Sequence, residues 1–335
     1  MKECTPEDKQ FQYNYIIIGA DDDYIRAMYG ELDQLPNVHF KAYGQGSKNR
    51  ILRALFKLHW SAKLNAKIRL PFKRIWFSKM CRYDFKNKKP VCYIFLGGQY
   101  IAGNPKLQSY IRSLNSENRI VIKYEDLIAK KKYRNFETVR SSADLLVTYD
   151  RAEACKYQII CYTGQMYSRL QDVTEPESFD TDVYFLGNVK DRLKTILDVY
   201  NRLNNNGIRC KFLLVGVPKD KQIALPGIQY ISGISYRENV ENIQASKCIL
   251  EVCQKECSEM TLRSIEAITY HRMLVTNSCI QNTGFYLPNV MLSFQKAEEI
   301  DTTRLGQPIE YQAFAHCTTD FSPVGFLRFL EENLN

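Results

Sequence analysis

Residues 246–277 constrain the fold more than any other part of the chain. Cys248–Val252 is an apolar run with the length of a buried strand, and 256–261 is polar. Apolar residues then recur at helical spacing over 262–268, and Met273–Val275 is a second buried strand. A loop that follows a strand and opens into a helix is where open α/β sheets bind anionic ligands, because the backbone N–H groups and the dipole at the helix start favour negative charge.

Two charged residues on that helix suit a nucleotide ligand. Arg263 and Glu266 are three residues apart, so they share one helix face. A cation near the helix start fits a phosphate, and a carboxylate one turn deeper fits the hydroxyls of a ribose.

The same alternation of strand and helix runs through the rest of the chain. The predicted strands of the first half are Tyr15–Ile18, Val38–Phe40, Val91–Leu96, Ile120–Lys123, Ala143–Thr148 and Ile159–Tyr162, and those of the second half are Val183–Leu186, Cys210–Val215, Ile228–Ile231, Cys248–Val252 and Met273–Val275. Strands that alternate with helices predict parallel sheets covered by helices on both faces.

At 335 residues the chain is too long for one ordinary core. The acidic segment 171–182 contains Pro176 and lacks periodicity, so we interpret it as a linker between two Rossmann-like domains, 1–175 and 183–320. The predicted helix within 321–335 would then pack back toward the N-terminal domain. The predicted class is α/β, with the two domains facing a central cleft.

The net charge of +9 comes from one segment. Residues 41–89 hold fifteen Lys and Arg against one acid, Asp84, so the remainder of the chain is net acidic. Cations fall on one side of a helical projection of this segment and apolar residues on the other, with Trp60, Trp76, Phe72 and Phe77 interleaved. The cationic side comprises Arg50, Arg53, Lys57, Lys63 and Lys67, and the apolar side comprises Ile51, Leu55, Leu58 and Ala62.

This pattern of cations opposite apolar residues is typical of a helix at an anionic membrane surface. Nucleic-acid binding would need the same charge, but no nucleic-acid-binding motif is present, so we expect no nucleic-acid partner. The other alternative to a membrane-binding helix is a charged face that is merely solvated.

No run of about 18 apolar residues predicts a transmembrane helix. The polar N-terminus does not resemble a signal peptide, and eleven cysteines without a CxxC pair are typical of a reducing compartment. We therefore expect a cytoplasmic protein, peripheral on the inner face of the plasma membrane.

The second half resembles the nucleotide-sugar domain of GT-B glycosyltransferases. The matching motifs are Phe185-Leu-Gly187 with Lys190 and Arg192, Leu214-Val-Gly216, Ile231-Ser-Gly233, and Ile265-Glu266-Ala267 through Asn277. More narrowly, the loop from Gln254 through Thr261 and Arg263 to Glu266 is similar to that of bacterial lipopolysaccharide and capsular polysaccharide biosynthesis transferases. In the first half, the segments around Pro71, Asp126 and Asp150 also resemble that group.

The resemblance implies a hexosyltransferase that moves a sugar from a nucleotide-sugar donor to a lipid-linked or polysaccharide acceptor. It implies no cofactor and no metal, because such enzymes neutralise the leaving diphosphate with cations and backbone N–H groups. The donor-binding residues that it implies are Gly187, Lys190, Arg192, Gly216, Thr261, Arg263 and Glu266. Solvated or salt-bridged roles are the alternatives for the charged members, and helix capping is the alternative for Thr261.

The catalytic base is not identified by the sequence. Asp21, Asp22, Asp126 and Asp150 follow predicted strands and are the candidates. An Asp triplet at 21–23 also allows a metal-dependent GT-A-like transferase. A third alternative is a degenerate GT-B scaffold that binds a nucleotide without turnover, which the altered loop at Ser258 supports.

Overall fold

A computed structural model of the chain describes residues 11–19, 22–43, 50–61, 64, 68, 70–97, 104–128, 136–162, 166–168, 170–253, 260–317 and 321–334. The chain divides into two compact units. The N-terminal unit comprises residues 2–163 together with 322–335, and the C-terminal unit comprises 164–321.

The N-terminal unit is built on a six-stranded parallel sheet of order β2-β1-β3-β4-β5-β6. Its strands are β1 (Asn14–Ile18), β2 (Val38–Lys41), β3 (Val91–Leu96), β4 (Arg119–Lys123), β5 (Leu145–Thr148) and β6 (Ile160–Cys161). Its helices are α1 (Asp23–Tyr29), α2 (Arg50–His59), α3 (Arg74–Cys81), α4 (Pro105–Leu114), α5 (Phe136–Arg140), α6 (Arg151–Tyr157) and, from the C-terminus, α11 (Pro323–Asn333).

The C-terminal unit carries a second six-stranded parallel sheet, of order β12-β11-β10-β7-β8-β9. Its strands are β7 (Thr181–Asn188), β8 (Cys210–Val215), β9 (Ile228–Ile231), β10 (Ser246–Glu251), β11 (Met273–Thr276) and β12 (Met291–Ser293). Its helices are α7 (Leu193–Asn204), α8 (Tyr236–Gln244), α9 (Leu262–Thr269) and α10 (Thr302–Gly306). The strand order reverses between β7 and β10, which is the place where open α/β sheets form a ligand crevice.

The predicted two-domain α/β class is confirmed, and each predicted strand has a counterpart in one of the two sheets. The inner strands β1 and β3 are apolar except for Asn14, because both faces of a parallel sheet are buried there. Strand β12 was not predicted, because a strand of three residues is too short to give a periodic signal.

The segment that enters the C-terminal unit is fixed by a buried arginine. Arg272 has no exposed surface, and it donates to the carbonyl oxygens of Thr174 and Gln244, each at 2.9 Å. The Gln244 side chain in turn donates to the Asp172 carbonyl at 2.7 Å. The acidic segment that precedes β7 is therefore bonded at Asp172 and Thr174 to the rest of the C-terminal unit.

The aromatic residues of the basic segment lie in the N-terminal core. Trp60, Trp76 and Phe77 are all buried, and the Trp76 indole donates to His59 at 2.6 Å. The expectation that these rings share a surface with the cations is wrong for these three, because they fill the space beside the sheet. Phe72 is 76% exposed. Ala62, Lys63 and Lys67 lie outside the described residues.

Helix α2 nevertheless exposes an apolar stripe. Phe56 packs into the core, whereas Ile51, Leu55 and Leu58 are 70%, 40% and 48% exposed. No helix among the described residues has the length and apolar content needed to cross a bilayer.

Helix α11 belongs to the N-terminal unit through both its ends. Ser322 caps the helix by accepting the Gly325 N–H at 3.0 Å, and Leu330 near the other end is fully buried. Glu331 Oε1 accepts the hydroxyl of Tyr15 at 2.9 Å and the backbone N–H of Gln12 at 2.5 Å. The last helix thus holds the first strand of the chain.

Replacing Glu331 by alanine should destabilise the protein by about 1–3 kcal/mol, because the buried Tyr15 hydroxyl and the neighbouring N–H groups lose their acceptor. Urea unfolding measures this change. Glu332→Ala is the matched control, since that side chain is exposed on the same helix. Equal stability of the two variants would contradict the anchoring role.

Candidate functional site

The carboxyl ends of β7 and β10 meet where the strand order of the C-terminal sheet reverses. The two glycines predicted to bind the donor lie nearby, Gly187 within β7 and Gly216 directly after β8. Gly216 has a φ of +78°, and a Cβ there would lie 3.1 Å from Asn188 Oδ1. This position therefore favours glycine for both conformation and space.

Arg263 and the buried Glu266 form an ion pair on the first turns of α9. Arg263 Nη1 donates to Glu266 Oε2 at 2.5 Å, and its Nη2 donates to the Leu186 carbonyl at 3.0 Å. The other oxygen of Glu266 accepts from the Tyr236 hydroxyl at 2.8 Å and from the Asn239 amide at 3.2 Å. Burial opposes the charge of Arg263, but the Glu266 carboxylate raises the pKa of this guanidinium above its usual value.

Glu266 has no exposed surface, whereas the Arg263 side chain is 23% exposed. The two residues therefore differ in whether a ligand can contact them without breaking an existing hydrogen bond. Arg263 can meet a ligand directly from its place at the helix start. A ribose hydroxyl would have to displace Tyr236, Asn239 or Arg263 before it could bond to Glu266.

A second buried carboxylate, Glu251, supports the start of α9. It is the last residue of β10, and it accepts the hydroxyls of Thr261, of Ser264 at 2.8 Å and of Thr276 at 2.5 Å. Thr261 also caps the helix by accepting the Arg263 N–H at 3.1 Å. The single hydroxyl proton of Thr261 is thus directed at Glu251, and capping is the role that its contacts support.

Arg192 joins the two strand ends. Its guanidinium donates to the backbone carbonyls of Val252, beyond β10, and of Asn188, at the end of β7. Burial lowers the pKa of this half-buried group. Lys190 lies two residues earlier, exposed and in a left-handed backbone conformation with a φ of 48°.

The structure therefore brings most of the predicted donor-binding residues to one edge of the sheet. Arg192 and Arg263 both bond to the end of β7, and Thr261 joins the end of β10 to α9. Two cations and the start of a helix can there neutralise a diphosphate. Residues 254–259 of the intervening loop lie outside the described residues.

Within the C-terminal unit, three tyrosine hydroxyls form a hydrogen-bonded series that begins at Glu266. The Tyr236 hydroxyl lies 2.6 Å from that of Tyr167, which lies 2.9 Å from that of Tyr270. Tyr270 donates to Gln171 at 3.1 Å, and Tyr236 donates to Glu266 at the other end. These hydrogen bonds connect Gln171, in the segment that precedes β7, to the buried carboxylate of Glu266.

Glu251 and the hydrogen-bonded tyrosines were not predicted from the sequence as functional residues. A carboxylate directly after the apolar residues Cys248-Ile-Leu, ten residues before the helix-capping Thr261, was the signal that could have identified Glu251. The tyrosines gave no signal, because their partners are distant in sequence.

The candidate bases lie in the N-terminal unit. Asp150 is buried, and it caps α6 by accepting the Glu153 N–H at 2.9 Å. Asp22 is exposed before α1, Asp126 is half-buried beyond β4, and Asp21 lies outside the described residues. Within the described parts of the chain, no group of three or more His, Cys, Asp and Glu side chains is arranged to hold a metal ion.

No protein-family model matches the sequence, and no curated protein matches it either. Among solved structures, the fold is similar to an alpha-glucosyltransferase in complex with UDP and a 13-mer DNA containing an HMU base. The TM-score is 0.60 at 11% identity, covering 96% of this chain and 99% of that one. A second alpha-glucosyltransferase structure, with UDP and a 13-mer DNA containing a central A:G mismatch, has a TM-score of 0.55 at 12% identity, covering 94% and 98%.

These similarities, together with the two parallel sheets, confirm the GT-B fold and set aside the GT-A-like alternative. They also correct one expectation of the sequence analysis. Nucleic acid was excluded as a partner because no binding motif was found, and that exclusion is wrong, since both similar structures contain DNA. A known motif is not required when a basic surface can bind phosphates directly.

The buried tyrosines predict that stability falls at alkaline pH. Burial raises the pKa of Tyr270 from 10.0 to about 12 and raises those of Tyr167 and Tyr236 above the usual range. The unfolded chain releases these protons near pH 10 while the folded state keeps them, so stability present below pH 10 is lost as the pH rises toward 12. Tyr270→Phe should reduce the slope of unfolding free energy against pH by up to about 1.4 kcal/mol per pH unit.

Urea unfolding between pH 9 and pH 11.5 gives this slope, and Tyr83→Phe, at a ring that is 47% exposed, is the matched control. A wild-type slope that Tyr270→Phe leaves unchanged would contradict the buried hydroxyl chain.

Proposed function

We propose that the chain is a glycosyltransferase that takes a hexose from a UDP-sugar and transfers it without a metal ion. The observation that carries the proposal is the convergence of Arg192, Arg263 and the capped start of α9 at the strand-order reversal of a GT-B domain. Two guanidinium groups and backbone N–H groups suit a diphosphate whose charge grows as the glycosidic bond breaks. The similarity to structures that contain UDP supports this choice of nucleotide.

The two arginines would act differently. Arg263 is oriented by Glu266 and Leu186 and is partly exposed, so it can bond to a phosphate without losing its present partners. Arg192 bonds to backbone carbonyls of two strand ends, so it would contribute charge while it holds those ends together. Lys190 is exposed beside them and would add a further cation.

Replacing Arg263 by alanine should weaken UDP binding at least tenfold, because one charged hydrogen bond to phosphate is worth about 1.5–3 kcal/mol. Isothermal titration calorimetry with UDP, in buffer with EDTA, measures this. The matched control is Arg237→Ala, which removes an exposed arginine of α8 that pairs with Glu241 at the surface. Equal UDP affinity in both variants would contradict the donor site. UDP binding without release of UDP from any UDP-sugar would favour the degenerate scaffold.

We propose a lipid-linked or polysaccharide acceptor of a bacterial cell surface, reached from the cytoplasmic face of the membrane. Support comes from α2, which exposes Ile51, Leu55 and Leu58 as a continuous stripe. Arg50, Arg53 and Lys57 lie beside that stripe and are exposed. An exposed apolar stripe flanked by cations fits an anionic bilayer surface, where each cation contributes roughly 1 kcal/mol.

Nucleic acid is the second candidate acceptor. The specific observation in its favour is that both similar glucosyltransferase structures contain a 13-mer DNA. The cations of 41–89 could serve either acceptor, since phosphates are present in both. The exposed apolar stripe distinguishes the two, because it contributes to binding of a bilayer and not to binding of a DNA backbone.

Leu55→Glu should lower the fraction of protein that sediments with vesicles of phosphatidylglycerol and phosphatidylcholine several-fold, because it places a carboxylate in the apolar stripe. Ile223→Glu is the matched control, since that residue is 50% exposed in the C-terminal unit. Binding of wild type to a 13-mer DNA duplex, with none to the vesicles, would reject the membrane proposal in favour of nucleic acid.

A further inference from the structure

A buried lysine lies at the carboxyl end of the N-terminal sheet. Lys123 is the last residue of β4 and has no exposed surface. Its Nζ donates to Glu125 Oε1 at 3.0 Å and lies 6.0 Å from the centre of the Phe326 ring of α11. This position corresponds to the strand ends where open α/β sheets bind their ligands.

A third residue completes the cluster. The hydroxyl of Tyr29, at the end of α1, donates to the same Glu125 oxygen at 3.1 Å. Tyr29 is fully buried, and burial together with the Glu125 carboxylate raises its pKa well above the usual value. The phenol therefore stays protonated and remains a donor to Glu125 at neutral pH.

The cluster is costly if its only role is stability. Removing a lysine and a glutamate from water is unfavourable, and their mutual attraction often does no more than offset that penalty. An apolar pair would fill the same place beside Phe326 and the apolar strands at no such cost. Fixed charges at the ligand-binding edge of a sheet are expected where a ligand uses them.

The two oxygens of Glu125 are used unequally. Oε1 accepts both Lys123 and Tyr29, whereas no donor within the described residues bonds to Oε2. The Glu125 side chain is 12% exposed, and its Oε2 is not fully buried. One oxygen is thus held in place by two donors while the other is available to a group from outside the protein.

We propose that Glu125 binds the attacking hydroxyl of the acceptor, an inference that rests on the glycosyltransferase function proposed above. Its Oε2 accepts a hydrogen bond from that hydroxyl and takes the proton as the acceptor oxygen bonds to the anomeric carbon. The bond from that carbon to the UDP oxygen breaks, and its electron pair leaves on UDP. Lys123 and Tyr29 are positioning residues, which act by fixing the orientation of the carboxylate.

The neighbouring Asp126 and the helix-capping Asp150 are the rivals for this role. Asp150 already caps α6, and Asp126 is half-buried directly after Glu125. Glu125 combines a buried cation, a buried phenol and an oxygen without a donor among the described residues.

Glu125→Gln tests the assignment, because its amide oxygen can still accept from Lys123 and Tyr29 but cannot take a proton. The readout is the rate of UDP release from UDP-glucose, UDP-galactose and UDP-N-acetylglucosamine, with water as the acceptor. We expect at least a roughly hundredfold loss of this rate. The UDP affinity should change less than twofold, and Glu125→Asp should restore part of the rate. Glu117→Gln, at an exposed loop position before β4, is the matched control.

The outcomes separate the two proposals. Wild-type turnover that Glu125→Gln leaves within twofold would overturn the role of Glu125. A loss of the rate matched by an equal loss of UDP affinity or of folded protein would also overturn it, since a structural role predicts that pattern. No UDP release by wild type from any donor would overturn the proposed function, and the present inference with it.

Discussion

The C-terminal unit depends on two buried carboxylates, Glu266 in α9 and Glu251 at the end of β10. Glu251 and Glu266 are each almost or fully inaccessible, and each is bonded to several donors. An unpaired buried carboxylate would cost several kcal/mol, so these donors must stay in place for the fold to persist. The position of α9 therefore follows from charge pairing as much as from packing of its apolar face.

Hydrogen bonds also orient Arg263 and Arg192, the two arginines at the carboxyl ends of β7 and β10. The Glu266 carboxylate orients Arg263, and the carbonyls of Asn188 and Val252 orient Arg192, so both guanidinium groups are fixed before any ligand arrives. A preoriented cation loses little entropy on binding an anion, which favours affinity and stabilisation of developing charge. Arg263 retains an exposed fraction, so the same side chain is oriented by Glu266 and accessible from solvent.

In the N-terminal unit, the basic segment contributes both to the core and to the exposed surface. Its basic segment contributes aromatic rings to the core through Phe56, Trp60 and Trp76, and it leaves cations and an apolar stripe on the outside of α2. A helix with one face in the core and a second apolar face in solvent has a surface suited to a further partner. The pairing of Lys123 with Glu125 places a carboxylate just beyond the carboxyl end of β4 in the same sheet.

The sequence by itself determined the α/β class and almost every strand, because apolar runs with strand length and helical periodicity are local properties of the chain. It also selected Arg263 and Glu266, since their spacing places both on one face of α9. Only the tertiary structure decided which partners those side chains have, because Tyr236, the Leu186 carbonyl and the Glu125–Lys123–Tyr29 cluster come together through strand order and not through sequence spacing. The burial of Trp60 and the roles of Glu251 and Arg272 were undetermined for the same reason: whether a ring or a charge is enclosed depends on what packs over it from distant parts of the chain.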